Sequence, residues 1–110
     1  MSAHILDQLY QVILDRRKAD PDTSYIAKRL KQGTAKIAQK FGEESVETII
    51  AAMQKDKQEV ISESTDFIFH WLMLLADANI TPQDVMNELE ARMNVSGLDE
   101  KARRNMKEKE

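Results

Sequence analysis

The most apolar part of the chain is residues 60–76, VISESTDFIFHWLMLLA, where apolar side chains occur in nearly every direction around a helical axis. A helix of this kind is buried on most sides. Glu63, Asp66 and His70 nevertheless share one narrow stripe of this helix, which Glu59 and Asp77 continue. A buried carboxylate is costly unless it has a partner, and residues 58–91 contain no Lys or Arg. The compensating charge must therefore come from outside this helix.

A second acidic stripe lies on the preceding segment, residues 34–55, which predicts another long helix. At about 100° per residue, one arc of that helix carries five charged side chains: Lys36, Lys40, Glu43, Glu44 and Glu47. Taken alone, a striped face of this kind is typical of a solvated surface. The stripe on the following helix makes a shared site the better interpretation.

Antiparallel packing of the two helices would place Glu44-x-x-Glu47 opposite Glu63-x-x-Asp66. Four carboxylates repel one another, and a hard divalent cation such as Mg²⁺ or Mn²⁺ relieves that repulsion. The main alternative, a di-iron carboxylate bundle, needs Glu-x-x-His on two helices, and the sequence has no such motif. His70 by itself is most simply a hydrogen-bonded core residue.

The remainder of the chain predicts an all-α bundle of about five helices. With only three glycines and two prolines in 110 residues, breakers fall between helical segments, and the predicted helices span residues 2–18, 24–32, 34–55, 58–78 and 82–94. Thr81, Pro82 and Asp84 predict a capped start of the last helix. Gly42 lies inside the third helix, which predicts a close approach there. We expect one domain over residues 1–104 and a disordered tail over 105–110.

Composition excludes several classes of protein. A net charge of −3 offers no global attraction to nucleic acid or to an anionic membrane. The absence of cysteine excludes disulfides and thiolate zinc sites and is compatible with a cytoplasmic location. Asp7 and Asp15 argue against an N-terminal signal or transit peptide. The longest uncharged apolar stretch, residues 67–76, is half the length of a membrane span, so we expect a soluble protein.

These motifs resemble those of the phosphoribosyl-ATP pyrophosphohydrolase family, within the all-α nucleoside-triphosphate pyrophosphatase (MazG-like) superfamily. The resemblance covers about residues 6–104 and is most specific in the ordered pair Glu-x-x-Glu and Glu-x-x-Asp. The segments that carry it are Arg16-Arg17-Lys18, Ser24-Tyr25, Lys40-Phe41-Gly42-Glu43-Glu44-x-x-Glu47, Glu63-x-x-Asp66 with His70, and Ser96-Gly97-x-x-Glu100-Lys101-x-x-Arg104.

The resemblance implies hydrolysis of 1-(5-phosphoribosyl)-ATP to 1-(5-phosphoribosyl)-AMP and pyrophosphate, the second step of histidine biosynthesis. Acidic side chains repel a triphosphate, so Mg²⁺ is expected to join the two. The expected metal ligands and catalytic acids are Glu44, Glu47, Glu63 and Asp66, with Glu43 a weaker candidate. The expected phosphate-binding cations are Lys36, Lys40, Arg92, Lys101 and Arg104.

The resemblance also implies a homodimer or a dimer of dimers, consistent with a fourth helix too apolar for one small subunit to cover. Many relatives are fused to a zinc-dependent cyclohydrolase, and we expect this cysteine-free chain to act without one. Two alternatives stay open. One is a house-cleaning pyrophosphohydrolase of ordinary or damaged nucleotides, and the other is a non-enzymatic helical dimerisation module.

Overall fold

The computed structural model describes residues 2–94 and 104–105, with side chains from Ile5 onward. Its five helices are α1 (Ser2–Arg16), α2 (Tyr25–Gln32), α3 (Thr34–Met53), α4 (Lys57–Asp77) and α5 (Pro82–Met93). No strand occurs in these two stretches, and the predicted all-α class is confirmed. The helix ends lie within about two residues of the predicted ones, the usual uncertainty of helix ends.

Three of the helices, α2, α4 and α5, begin at a residue whose side chain caps them. The Ser24 hydroxyl accepts a hydrogen bond from the Ala27 amide at 3.2 Å and starts α2. The Asp56 carboxylate accepts from the Glu59 amide at 3.1 Å and starts α4. Thr81 and Asp84 form the predicted capping box of α5, with a proline at the first helical position. Local sequence therefore sets the helix starts.

Tertiary packing centres on the antiparallel hairpin of α3 and α4. A side-chain hydrogen bond from Thr34 to Asp77 joins the start of α3 to the end of α4. Helix α2 packs on α3, whereas α1 packs on α4 and α5. The buried core comprises Tyr10, Ile13, Ile26, Ile37, Leu72, Met73, Leu75 and Ala76. The hairpin residues of this cluster lie at the end where α3 starts and α4 finishes, whereas Ala51 is buried separately near the end of α3.

The opposite end of the hairpin, residues 46–61, is called here the distal end. The prediction that α4 is buried on most sides holds for its C-terminal half, yet Ile61 is 58% exposed. On α3, Ile49 is 59% exposed and Met53 78% exposed. The three other helices pack at the core end of the hairpin, which leaves this apolar surface open within one chain.

Three further expectations concern Gly42, the C-terminal tail and membrane-spanning helices. The expected close approach at Gly42 was wrong for the single chain, because a Cβ built there meets nothing within 4 Å among the described residues. Of the predicted tail, only Asn105 is described, and it is helical; residues 106–110 lie outside the described part. Within that part, no helix combines the length and the hydropathy needed to cross a membrane.

Candidate active site

The predicted acids lie along the α3–α4 hairpin in two neighbouring groups. The inner acid group consists of Glu44 and Asp66, at the core end, with His70 beside them. The outer acid group consists of Glu47, Glu59 and Glu63, which line one cleft in the distal half. The two groups are coupled electrostatically, because Glu47 also raises the pKa of Glu44.

In the inner acid group, Glu44 is held against a buried histidine. The Glu44 side chain is 14% exposed, and its Oε1 lies 2.5 Å from Nδ1 of His70, which is 3% exposed. This contact lacks hydrogen-bond geometry, so Oε1 is buried without a hydrogen-bond partner. Burial, and then the charge of Asp66, raise the pKa of Glu44 to about 7. Ionised Glu44 therefore lacks sufficient compensation from the chain itself.

His70 is the hydrogen-bonded buried residue that the sequence predicted. Its Nδ1 lies 3.2 Å from the carbonyl oxygen of Asp66, and its Nε2 lies 3.1 Å from the Tyr25 hydroxyl. Burial lowers the pKa of His70, although the Asp66 carbonyl opposes that effect. The imidazole therefore favours its neutral form more strongly than a free histidine does.

In the outer acid group, carboxyl groups contact each other. Glu47, Glu59 and Glu63 line a cleft of about 190 Å³ with Ile50, Ala51 and Gln54. Hydrogen bonding to Glu47, followed by burial and by contact with Glu59, raises the pKa of Glu63 to about 7. Glu63 Oε2 is buried without a hydrogen-bond partner. Carboxyl groups in such contact hold a proton between them unless a cation takes its place.

The residues present fit a divalent cation in chemical type. The pKa values of Glu44 and Glu63 are raised, and each residue has a buried carboxylate oxygen without a hydrogen-bond partner. A bound cation would lower these pKa values and give the oxygens a partner. Within the described stretches, no three acid or histidine side chains are gathered tightly enough to hold an ion by themselves. Mg²⁺ does not require such a cage, because it keeps several waters and commonly adds phosphate oxygens to one or two carboxylates.

The predicted cations differ in their relation to the acids. Lys40 Nζ lies 3.5 Å from Glu43 Oε1, and the same ammonium lowers the pKa of Glu44. Lys36 acts electrostatically on Glu43. Glu43 itself is exposed, and its pKa is lowered chiefly by a hydrogen bond from Gln39. Lys40 is therefore the cation with the clearest link to the inner acid group.

The predicted C-terminal cations follow α4 in the chain, with Arg92 on α5 and Arg104 beyond it. Arg92 is paired with Glu88 on α5, at 3.2 Å. Arg104 is helical and exposed. Lys101 lies outside the described residues, so its predicted role stays a prediction.

Sequence reasoning did not assign roles to three residues that the structure joins to these groups. Glu59 lies one turn before Glu63 on the same acidic stripe, and that i, i+4 spacing was a usable signal. Tyr25 of α2 contacts His70, and Arg29 donates a hydrogen bond to Tyr25. No spacing within α4 could reveal them, since the contact depends on how α2 packs.

The comparisons with known proteins identify the family of the chain. The family model of phosphoribosyl-ATP pyrophosphohydrolase matches residues 6–93. The chain is 50% identical to the phosphoribosyl-ATP pyrophosphatase of Paramagnetospirillum magneticum, over 91% of this chain and 92% of that protein. It is 52% identical to the protein of the same name from Parvibaculum lavamentivorans, over 90% and 91%. For the one from Sulfolobus acidocaldarius the identity is 47%, over 84% and 98%. The resemblance read from the sequence is thus confirmed, and the chain belongs to the phosphoribosyl-ATP pyrophosphohydrolase family.

Proposed function

We propose that the protein hydrolyses 1-(5-phosphoribosyl)-ATP to 1-(5-phosphoribosyl)-AMP and pyrophosphate, the second step of histidine biosynthesis. Family membership over most of the chain supports the substrate and the reaction. The observation that carries the chemistry is the presence of two neighbouring acid groups on one hairpin. Glu44 in the inner group and Glu63 in the outer group each have a pKa raised to about 7. The site has an excess of negative charge that a metal-bound polyphosphate would complement.

Glu44, Glu47, Glu63 and Asp66 would hold Mg²⁺, with Mn²⁺ as a possible substitute, directly or through water. Bound there, Mg²⁺ would neutralise phosphate charge and stabilise the charge that develops on the departing pyrophosphate. Glu59 lines the same cleft as Glu47 and Glu63. We add it to the proposed site because it completes the outer acid group.

Hydrolysis also needs a group that accepts a proton from the attacking water. A carboxylate that does not bind the metal directly can fill this role. We propose that one of Glu44, Glu47, Glu63 and Asp66 takes the proton as the water oxygen bonds to phosphorus, while the other acids hold Mg²⁺. The bond that breaks joins the α and β phosphates.

Cationic side chains near the acids would bind phosphate oxygens. Lys40 is the best placed, because it lies close enough to the inner acid group to lower the pKa of Glu44. Lys36 is one turn earlier on the same helix. We propose that Arg92, Lys101 and Arg104 contribute from the C-terminal part, as the resemblance implies, and that residues 1–104 form a single domain.

A second copy of the chain is proposed to cover the distal end of the hairpin, giving a homodimer or a dimer of dimers. The exposed apolar side chains there belong to both helices: Val46, Ile49, Ile50, Met53 and Ile61. Exposed apolar patches of this kind mark protein interfaces. A cytoplasmic location fits the pathway and completes the proposal.

The proposed activity is tested by comparing substrates. With Mg²⁺, purified protein is expected to release pyrophosphate from phosphoribosyl-ATP at least about tenfold faster, in kcat/KM, than from ATP, dCTP or dUTP, since polar groups matched to one substrate discriminate strongly. Equal rates would favour a house-cleaning pyrophosphohydrolase. Failure to release pyrophosphate from any of them would favour a non-enzymatic module.

A further inference from the structure

A chain of polar side chains runs from α2 to the inner acid group. Arg29 Nη2 donates a hydrogen bond to the Tyr25 hydroxyl at 3.0 Å, and that hydroxyl lies 3.1 Å from Nε2 of His70. On the other side of the ring, Nδ1 of His70 faces the Asp66 carbonyl at 3.2 Å and Glu44 Oε1 at 2.5 Å. Two side chains, those of Tyr25 and His70, thus connect the buried Arg29 guanidinium to a proposed metal ligand.

The chemistry of the donors gives this chain a direction. A guanidinium only donates, so the Tyr25 oxygen accepts from Arg29 and its O–H is left to donate to His70 Nε2. His70 Nε2 then acts as the acceptor, which places the ring proton on Nδ1 in the neutral imidazole. That N–H faces the Asp66 carbonyl and the Glu44 carboxylate. The Asp66 carbonyl only accepts and so favours the same tautomer. Tyr25 and Asp66 together therefore support a ring N–H on the side of Glu44.

Further contacts restrain Arg29 and Tyr25, although Tyr25 is 49% exposed. Arg29 is only 8% exposed, and its guanidinium also donates to Gln32 Oε1 at 2.6 Å and lies 4.9 Å from the centre of the Tyr25 ring. The Tyr25 ring stacks on Phe69, with centroids 6.0 Å apart. Among the described residues, His70 is the one basic side chain within 4 Å of a Glu44 carboxylate oxygen.

We propose that Arg29, Tyr25 and His70 form a positioning chain that fixes the orientation of the Glu44 carboxylate through the Nδ1–H of His70. The inference rests on the proposed function, in which Glu44 helps to hold the divalent cation. Glu44 Oε1 is buried and has no hydrogen-bond partner. A small turn of the carboxylate would let this oxygen accept from His70 Nδ1–H and leave Oε2 for the cation. Groups that orient a metal ligand in this way influence metal affinity and turnover.

The test compares two tyrosines whose hydroxyl groups have different hydrogen-bond partners. Tyr25→Phe removes the hydroxyl that binds His70, whereas Tyr10→Phe removes one that donates to the Ile80 carbonyl at 2.7 Å. For each variant we would measure Mn²⁺ affinity by calorimetry without substrate, and kcat and KM for phosphoribosyl-ATP with Mg²⁺. We expect Tyr25→Phe to weaken Mn²⁺ binding and lower kcat, each by about fivefold or more, with KM within twofold. Tyr10→Phe should change neither by more than about twofold, because it acts only on stability.

Three results would overturn the proposal: Tyr25→Phe within twofold of the wild type in either measurement, equal losses in the two tyrosine variants, or a raised KM with unchanged kcat. The last result would indicate that Tyr25 binds the substrate instead.

A second pair of variants tests the donor, the Nδ1–H of His70, directly. His70→Asn keeps an N–H near the Nδ1 position and should retain at least about ten times the kcat of His70→Leu. Equal kcat values in these two variants would also overturn the proposed positioning chain.

Failure of the proposed function would look different. The wild type and Glu44→Gln are assayed in parallel. A wild type that does not hydrolyse phosphoribosyl-ATP, or a fully active Glu44→Gln variant, removes the proposed function or its metal site. An active wild type with an inactive Glu44→Gln and a fully active Tyr25→Phe removes only the positioning chain.

Discussion

The inner and outer acid groups reach a similar electrostatic state by different routes. In the inner acid group, burial against the core is the main reason why the pKa of Glu44 is raised to about 7. In the outer acid group, the main reason for the raised pKa of Glu63 is contact with another carboxyl, that of Glu47. The inner acid is constrained by helices packed around it. The outer acids lie in a cleft that is lined, within the described part of the chain, by residues of α3 and α4 and by Gln54, which follows α3.

This difference indicates a division of labour along one hairpin. At the core end, Glu44 lies against buried His70, which in turn contacts Tyr25 of α2. The distal end provides carboxylates whose mutual repulsion a cation can relieve, beside apolar residues that are exposed in one chain. The predictions below test whether the two ends behave differently.

The largest expected effect is on turnover. Glu44→Gln and Glu63→Gln should each lower kcat by about a thousandfold, the size expected when a principal group that stabilises transition-state charge is lost. Both variants keep the shape of the side chain, so circular dichroism should show an unchanged helix content. Asp15→Asn, an exposed change on α1, is the control. Full activity in either glutamine variant would remove that acid from the site.

The next effect concerns the distal end. Ile50→Glu places a charge on a side chain that is 50% exposed within one chain and should raise the dimer dissociation constant by about a hundredfold or more, since burying an unpaired charge in an interface is costly. Ile5→Glu is the matched control, on α1 and 65% exposed. Analytical ultracentrifugation distinguishes the two variants. Equal dimer dissociation constants in the two variants would show that the interface is not at the distal end.

The third effect is a pH dependence of stability without metal. The pKa of Glu44 is raised from the ordinary 4.5 of a glutamate to about 7 in the folded chain, so the folded state retains a proton that the unfolded state loses. Stability should therefore fall between about pH 4.5 and pH 7 and level off above, by on the order of 1–3 kcal/mol. Urea unfolding with EDTA measures the loss.

Two further measurements sharpen this comparison between the acid groups. Glu44→Gln should flatten the pH dependence in part and leave the contribution of the outer acid group. Mg²⁺ should raise stability above pH 7, since a ligand that binds only the folded state stabilises it. A wild type that becomes more stable from pH 5 to pH 7 would contradict the raised pKa values.

The smallest effect is at Gly42. Its surroundings are open within 4 Å in the single chain, so Gly42→Ala should raise stability by about 0.5–1 kcal/mol through helix propensity. Dimerisation should be unchanged if the interface is confined to the distal end. Thermal unfolding and ultracentrifugation test both points, and a weakened dimer would extend the interface toward the inner acid group.

The helix boundaries and the acidic stripes could be predicted because they depend on neighbours in sequence. Thr81, Pro82 and Asp84 specify the start of α5 through bonds that span three residues. The i, i+3 spacing of Glu44 with Glu47, and of Glu63 with Asp66, puts each pair on one side of its helix wherever that helix lies. Local geometry carries this information without any knowledge of the fold.

Tertiary structure alone decided how the acids divide and what surrounds each of them. The contact between Tyr25 and His70 spans 45 residues and requires α2 to pack across the hairpin, which no local spacing encodes. The unequal burial of α4 has a similar origin, because the short helices cover only one end of the long hairpin. The sequence by itself determined which side chains share a helix face. Packing determined which of those faces meet, because contact between distant segments depends on the whole chain.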